Sequence, residues 1–131
     1  MDRLFLDANV LFSAAYRQDS GLLALWRMKG VALCTSHYAL EEARVNLPGE
    51  DQRERLAKLS TKLELFDAAV QKVPSEIWLP EKDAPILLAA IEARATYLLT
   101  GDIRHFGQYF GKKVAGIMVV APGDYLKRHR S

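Results

Sequence analysis

The sequence predicts an α/β fold built on a central, mainly parallel sheet of four to five strands. Short apolar runs alternate with helix-compatible patterns along the chain, as parallel strands joined by crossover helices require. Acidic residues stand immediately after two of those runs, at the strand ends where open parallel sheets carry their ligands. Length and composition agree with a soluble packed domain: 131 residues fit one domain spanning 1–131, and 50% of them are hydrophobic against 26% charged.

Leu4, Phe5 and Leu6 form the first predicted strand. Over residues 9–29 the apolar positions Leu11, Phe12, Ala15, Leu22, Leu25 and Trp26 keep helical spacing, broken near Asp19, Ser20 and Gly21, which predicts two helical pieces. Residues 31–34 read as the second strand, with Ser36 or Thr35 capping the helix that follows and Pro48-Gly49 ending it. A further helix is expected over residues 50–70. Residues 73–80 hold too many prolines for a central strand and read as a short strand end and loop. Asp83 opens a helix that tolerates Pro85 in its first turn. Residues 96–99 and 116–120 supply two more strands, and Pro122 begins a C-terminal helix.

The single cysteine, Cys34, excludes an internal disulfide and a cysteine-cluster zinc site, and its apolar neighbours predict a buried thiol. The N-terminus reaches an acid after three apolar residues, too few for a signal-peptide core or a membrane span, so a cytoplasmic location with no membrane partner is expected. A net charge of +2 is permissive of nucleic-acid binding without announcing it.

The chemistry lies in four acids. Asp7 ends the first strand, and Asp102 follows Leu98-Leu99-Thr100-Gly101, where glycine is expected to let the chain turn sharply. Asp83 starts its helix at the same sheet edge if the crossovers are right-handed. Glu42 lies in the helix after the second strand and reaches toward that edge, whereas Glu41 points elsewhere. Singly, Asp83 reads as a helix cap, Asp102 as a turn residue and Glu42 as a solvated charge; an acid ending an apolar strand, as Asp7 does, must be solvated, paired or liganded. Together the four would repel unless a cation neutralised them, and hard oxygen ligands favour magnesium or manganese over zinc. Such ions serve phosphodiester hydrolysis by activating water and balancing charge.

The chain resembles the PIN-domain family, in particular its VapC-type toxin ribonucleases. The likeness runs through Leu6-Asp7-Ala8-Asn9-Val10-Leu11-Phe12-Ser13, then Thr35-Ser36-His37-Tyr38-Ala39-Leu40-Glu41-Glu42. It continues in Asp83-Ala84-Pro85-Ile86-Leu87-Leu88-Ala89-Ala90 and in Tyr97-Leu98-Leu99-Thr100-Gly101-Asp102. The resemblance implies a three-layer α/β/α sandwich, magnesium or manganese held by Asp7, Glu42, Asp83 and Asp102 as catalytic residues, and hydrolysis of RNA. It places Asn9, Ser36 and Thr100 around the ligands as orienting groups. Many relatives carry a further acid soon after the fourth; here Ile103-Arg104-His105-Phe106 follows Asp102.

Arg104 and His105, beside the acids, are candidate RNA phosphate contacts, against a solvated turn charge for Arg104 and packing with Phe106 for His105. Lys112-Lys113 and Lys127-Arg128-His129-Arg130 read first as solvated ends and second as guides for RNA. The three histidines show no metal-ligand spacing with one another, so no histidine metal site is expected, and His37 reads as an exposed helix start. The expected activity is a metal-dependent endoribonuclease, the toxin component of a toxin–antitoxin system restrained by an antitoxin protein. The alternatives are a non-catalytic RNA-binding or scaffold domain and, less favoured, a DNA-directed flap-nuclease relative, for which the chain lacks room for added DNA-binding elements. Family habit also implies a homodimer, through helices carrying Leu22, Trp26, Leu56 and Leu63, although such residues more commonly form core.

Overall fold

In the computed structural model, which describes residues 1–67, 74–75 and 77–129, the apolar run after Met1 forms β1 (Asp2–Leu6). Leu4, Phe5 and Leu6 have no exposure, as residues of a strand covered on both faces require. α1 (Ala8–Tyr16) follows directly. The interruption at residues 19–21 resolves into a capped 3₁₀ turn (Gly21–Leu23) that runs into α2 (Ala24–Arg27), giving the two helical pieces expected.

β2 (Val31–Thr35) leads into α3 (His37–Asn46), and Ser36 is the cap: its Oγ accepts from the Ala39 amide at 3.0 Å. The residue is 1% exposed, so solvent cannot replace this bond. Ser36→Ala is expected to cost about 1 kcal/mol, measurable as a lower urea midpoint at unchanged m-value. Cys34 is buried, and burial pushes its thiol up to about 12.

α4 (Glu50–Ser60) is shorter than the helix expected over 50–70. The Ser60 and Thr61 hydroxyls donate to the Ala57 and Lys58 carbonyls, each at 2.7 Å, and so occupy acceptors at the helix end. The chain then enters β3 (Glu64–Leu65), which pairs with β2; residues 68–70 of that expected helix lie outside the described residues. The strand end expected within 73–80 is not formed by the described residues there, where Ile77 donates its amide to Pro74 in a turn; residues 73 and 76 lie outside the description.

α5 (Ala84–Glu92), β4 (Tyr97–Leu99), β6 (Ile117–Val120) and α7 (Pro122–Arg128) match the remaining expectations. Between β4 and β6 come the short helix α6 (Ile103–Phe106), a 3₁₀ turn (Gly107–Tyr109) and the unforeseen β5 (Lys113–Val114). The β5–β6 connection is tight, with Ala115 and Gly116 at φ of 53° and 84°, so an alanine occupies left-handed backbone there.

The sheet is mainly parallel, as expected, with order β3-β2-β1-β4-β6-β5 and one antiparallel pair, β5 with β6. It has six strands rather than four to five because β3 and β5, two residues each, complete its edges. From β1 the next strand in sequence lies to one side, while β4 lies on the other, so β1 and β4 flank a switch point of the topology. Leu56 and Leu63 are buried, and Leu22 and Trp26 pack against the core. Leu56 and Leu63 thus belong to the interior, while Leu22 and Trp26 are half-buried on it. No helix among the described residues is long and apolar enough to cross a membrane.

Candidate active site

At the carboxyl end of β1, Asp7 caps α1 with its own side chain. Its Oδ1 accepts from the Ala8 amide at 2.6 Å, and its Oδ2 accepts from Thr100 Oγ1 at 2.7 Å and from Asn9 Nδ2 at 3.0 Å. Only 4% of Asp7 is exposed. Burial pushes its carboxyl up to about 6; hydrogen bonds from Thr100 and Ala8 oppose the rise, and the nearby Asp83 and Glu42 carboxylates reinforce it.

Thr100 ties the neighbouring strand end to the same carboxylate. Besides donating to Asp7, its Oγ1 accepts from the Asp102 amide at 3.0 Å and from Asn9 Nδ2 at 3.3 Å, which uses its one donor and both acceptor sites. Asn9 completes the lock, its Oδ1 accepting from the Gly101 amide at 2.7 Å. The glycine is explained by this approach, since a Cβ at 101 would stand 3.3 Å from Asn9 Oδ1, whereas its backbone is not among the left-handed glycines.

The four acids expected at one sheet edge line a common cleft, and among the described residues the ligand atoms within 4.8 Å of one another are those of Asp83, Asp102 and His105. Asp7, Glu42, Asp83 and Asp102 line one open cleft of about 340 Å³, together with Asn9, Lys82 and other residues. Glu41 lies outside it, paired with Arg44 at 2.5 Å on the exposed face of α3. Asp83 occupies the cap position of α5, yet its side chain makes no capping bond, so the helix-cap reading does not explain it. Burial raises its carboxyl above the usual range, His105 lowers it, Asp102 raises it and Lys82 lowers it. Asp102 does cap α6, its Oδ1 accepting from the His105 amide at 3.1 Å, while its Oδ2 lies 2.8 Å from the His105 ring.

His105 stands between two of the acids: its Nδ1 lies 2.8 Å from Oδ2 of Asp102 and 2.8 Å from Oδ2 of Asp83. Hydrogen-bond geometry is met with Asp102 alone. Asp83 Oδ2 is therefore a buried oxygen without a hydrogen-bond partner, in a residue 8% exposed. A buried carboxylate oxygen left in this condition is costly unless something positive meets it. Four carboxylates on one cleft and an orphaned oxygen within it fit a hard divalent cation. Spacing among the histidines carried no sign of His105's position, because the imidazole meets the cap of its own helix, Asp102, and Asp83 from the start of α5.

Ser36 supports the site at a distance, as the cap of the helix bearing Glu42, and is not among the lining residues. Arg104 is exposed. His37 begins α3 and meets Asp67 at 3.0 Å, while His129 packs on Tyr125; Arg130 lies outside the described residues. Two contributors were not singled out from sequence. Tyr38 precedes Glu42 by one helical repeat, a spacing that places both on one face of α3 and was a readable signal. Burial raises its phenol, with Glu42, Asp83 and Asp7 adding to the effect, and its hydroxyl donates to the Lys82 carbonyl at 2.8 Å. Lys82 brings a cation to the cleft wall beside Asp83.

No curated protein matches the chain. Among solved structures it is similar to VapBC2 from Rickettsia felis bound to a DNA fragment from their promoter, with a TM-score of 0.65 and 16% identity over 91% of this chain and 98% of that one. It is also similar to FitAB bound to the IR36 DNA fragment, with a TM-score of 0.56 and 18% identity over 91% and 94% of the two chains. FitAcB from Neisseria gonorrhoeae gives a TM-score of 0.55 and 15% identity over 92% and 98%. Likeness at these identities speaks for a shared fold. The PIN domain family model matches residues 3–104, a stretch that contains every one of the four acids, and the chain therefore belongs to the PIN domain family.

Proposed function

We propose that the chain is a metal-dependent endoribonuclease, one nuclease domain over residues 1–131, acting in the cytoplasm as the toxin component of a toxin–antitoxin pair. The observation that carries the activity is that Asp7, Glu42, Asp83 and Asp102 line one cleft, with Oδ2 of Asp83 buried and without a hydrogen-bond partner. These four residues would hold magnesium or manganese. The bound ion would supply a water acidified for attack and positive charge against a phosphodiester in displacement.

The chain's own groups prepare that chemistry. Thr100 and Asn9 fix the direction of Asp7 Oδ2 before any ligand arrives, so little reorganisation is left for the reaction. The exposed Lys82 offers the cleft wall a cation for an RNA phosphate. The exposed Arg104 supplies a second phosphate contact at the rim. The open cleft leaves the scissile bond accessible from the surface, as cleavage within a strand requires. Similarity to the VapBC2 and FitAB complexes supports a protein partner, the antitoxin, for this chain as well.

The test is cleavage of a mixed RNA pool, and of single-stranded DNA of matched sequence, with manganese, magnesium or EDTA. RNA cleavage confined to the metal-loaded protein, and lost at least about a hundredfold in Glu42→Gln, is expected; about 3 kcal/mol of barrier corresponds to such a loss. Binding of RNA by a folded protein that cuts under none of these conditions would favour the non-catalytic scaffold reading. Cleavage persisting in EDTA would refute metal dependence.

A further inference from the structure

We propose that His105 is itself a metal ligand, so that Nδ1 of His105, Oδ2 of Asp83 and Oδ2 of Asp102 form a mixed nitrogen and oxygen face that prefers manganese to magnesium. The inference rests on the metal dependence proposed above and adds to it the identity of a ligand and the direction of selectivity.

Three observations carry it. The ligand atoms of Asp83, Asp102 and His105 all lie within 4.8 Å of one another. The two His105 separations, both 2.8 Å, are close to the roughly 3 Å expected between adjacent ligands on a small octahedral ion with bonds of about 2.1 Å. The approach to Asp102 is a hydrogen bond, whereas the equal approach to Asp83 is at ion-pair distance without hydrogen-bond geometry, which leaves the buried Oδ2 of Asp83 without a hydrogen-bond partner. Nδ1 of His105 and Oδ2 of Asp83 thus face each other at the separation of two ligands that share an ion. The His105 backbone is fixed in the same arrangement, because its amide donates to Asp102 Oδ1.

To bind a metal, Nδ1 must offer its lone pair, with the one proton of the neutral ring on Nε2. Magnesium takes oxygen ligands almost exclusively, whereas imidazole suits first-row transition ions, so the nitrogen should separate the two metals.

The decisive experiment is pulsed electron paramagnetic resonance of the wild-type protein loaded with manganese, which detects a directly bound nitrogen without any variant. Calorimetric titration with manganese chloride and magnesium chloride on wild type, His105→Asn and Asp83→Asn runs alongside. Nitrogen coupling in wild type is expected, with manganese affinity at least about tenfold weaker in His105→Asn and magnesium affinity changed less than about threefold. Manganese binding without nitrogen coupling would overturn the assignment of His105 alone and leave the carboxylate site standing. Unchanged or tighter manganese binding by His105→Asn would make the imidazole a counter-ion that the metal displaces, and would also overturn it. Absence of manganese binding by wild type would overturn both this inference and the proposed metal dependence.

Discussion

Asp7→Asn is expected to abolish RNA cleavage and, in the absence of metal, to make the protein more stable. The carboxylate is 4% exposed and its pKa is raised from 3.8 to about 6. A group whose folded pKa is raised takes up protons more readily in the folded state than in the unfolded one. The metal-free fold is therefore least stable above about pH 6 and gains stability as the pH falls from there toward 3.8. The full difference is about 3 kcal/mol, at about 1.4 kcal/mol for each pH unit. Asparagine removes the charge, but its amide would face the Asn9 Nδ2 donor that now serves Asp7 Oδ2, so a net gain of about 1–2 kcal/mol is expected at neutral pH. Urea denaturation in EDTA at pH 7.5 and pH 5 checks this: the two proteins should differ at the higher pH and converge at the lower. Cleavage should fall at least about a thousandfold, equivalent to about 4 kcal/mol, since removing a ligand charge removes stabilisation that metal sites supply. Full activity in the folded variant would exclude Asp7 as a ligand.

The second large effect is expected at Thr100, which touches no substrate in the proposed mechanism. Valine there is nearly isosteric but loses the donation to Asp7 and the acceptance from the Asp102 and Asn9 N–H groups. Thr100 has no exposure, so water cannot substitute; a loss of about 1–3 kcal/mol in stability is expected. Cleavage should drop about 10- to 100-fold, the usual cost of losing a partner that orients a metal ligand. The pH profile separates this role from simple destabilisation. The Thr100 bond favours the ionised form of Asp7, so its removal raises the Asp7 pKa further. At limiting metal, the acid limb of activity should therefore move to higher pH in Thr100→Val and return in Thr100→Ser. An unshifted limb would count against the coupling.

What could be read from the sequence was what is encoded locally. β1, β2 and β4 are built on the apolar runs at residues 4–6, 31–34 and 97–99, and Asp7 and Asp102 sit at fixed positions after two of them, so strand direction brought them to one edge. β3 and β5 have two residues each, too few to show a period, and exist because β2 and β6 offer them edges to pair with. The expectation of an overlong α4 has a similar origin. Leu56, Leu59 and Leu63 continue a helical spacing, but the last of them buries itself beyond the helix end, on the way into β3. Position within the site followed the same division. Asn9 and Thr100 stand next to acids in the chain and were found with them, while the bridge from His105 to Asp83 joins two elements that no local pattern connects.

The Thr100 to Asp7 hydrogen bond spans 93 residues of chain. A chain made from its N-terminus therefore releases Asp7, Asn9 and then Glu42 long before their partners exist, and the cleft stays unfinished until Thr100 and Asp102 have left the ribosomal tunnel. Contacts of such long range close last during synthesis. Assembly of the carboxylate cluster is thus a late event in the growth of the fold, set by where Thr100 and Asp102 stand in the chain.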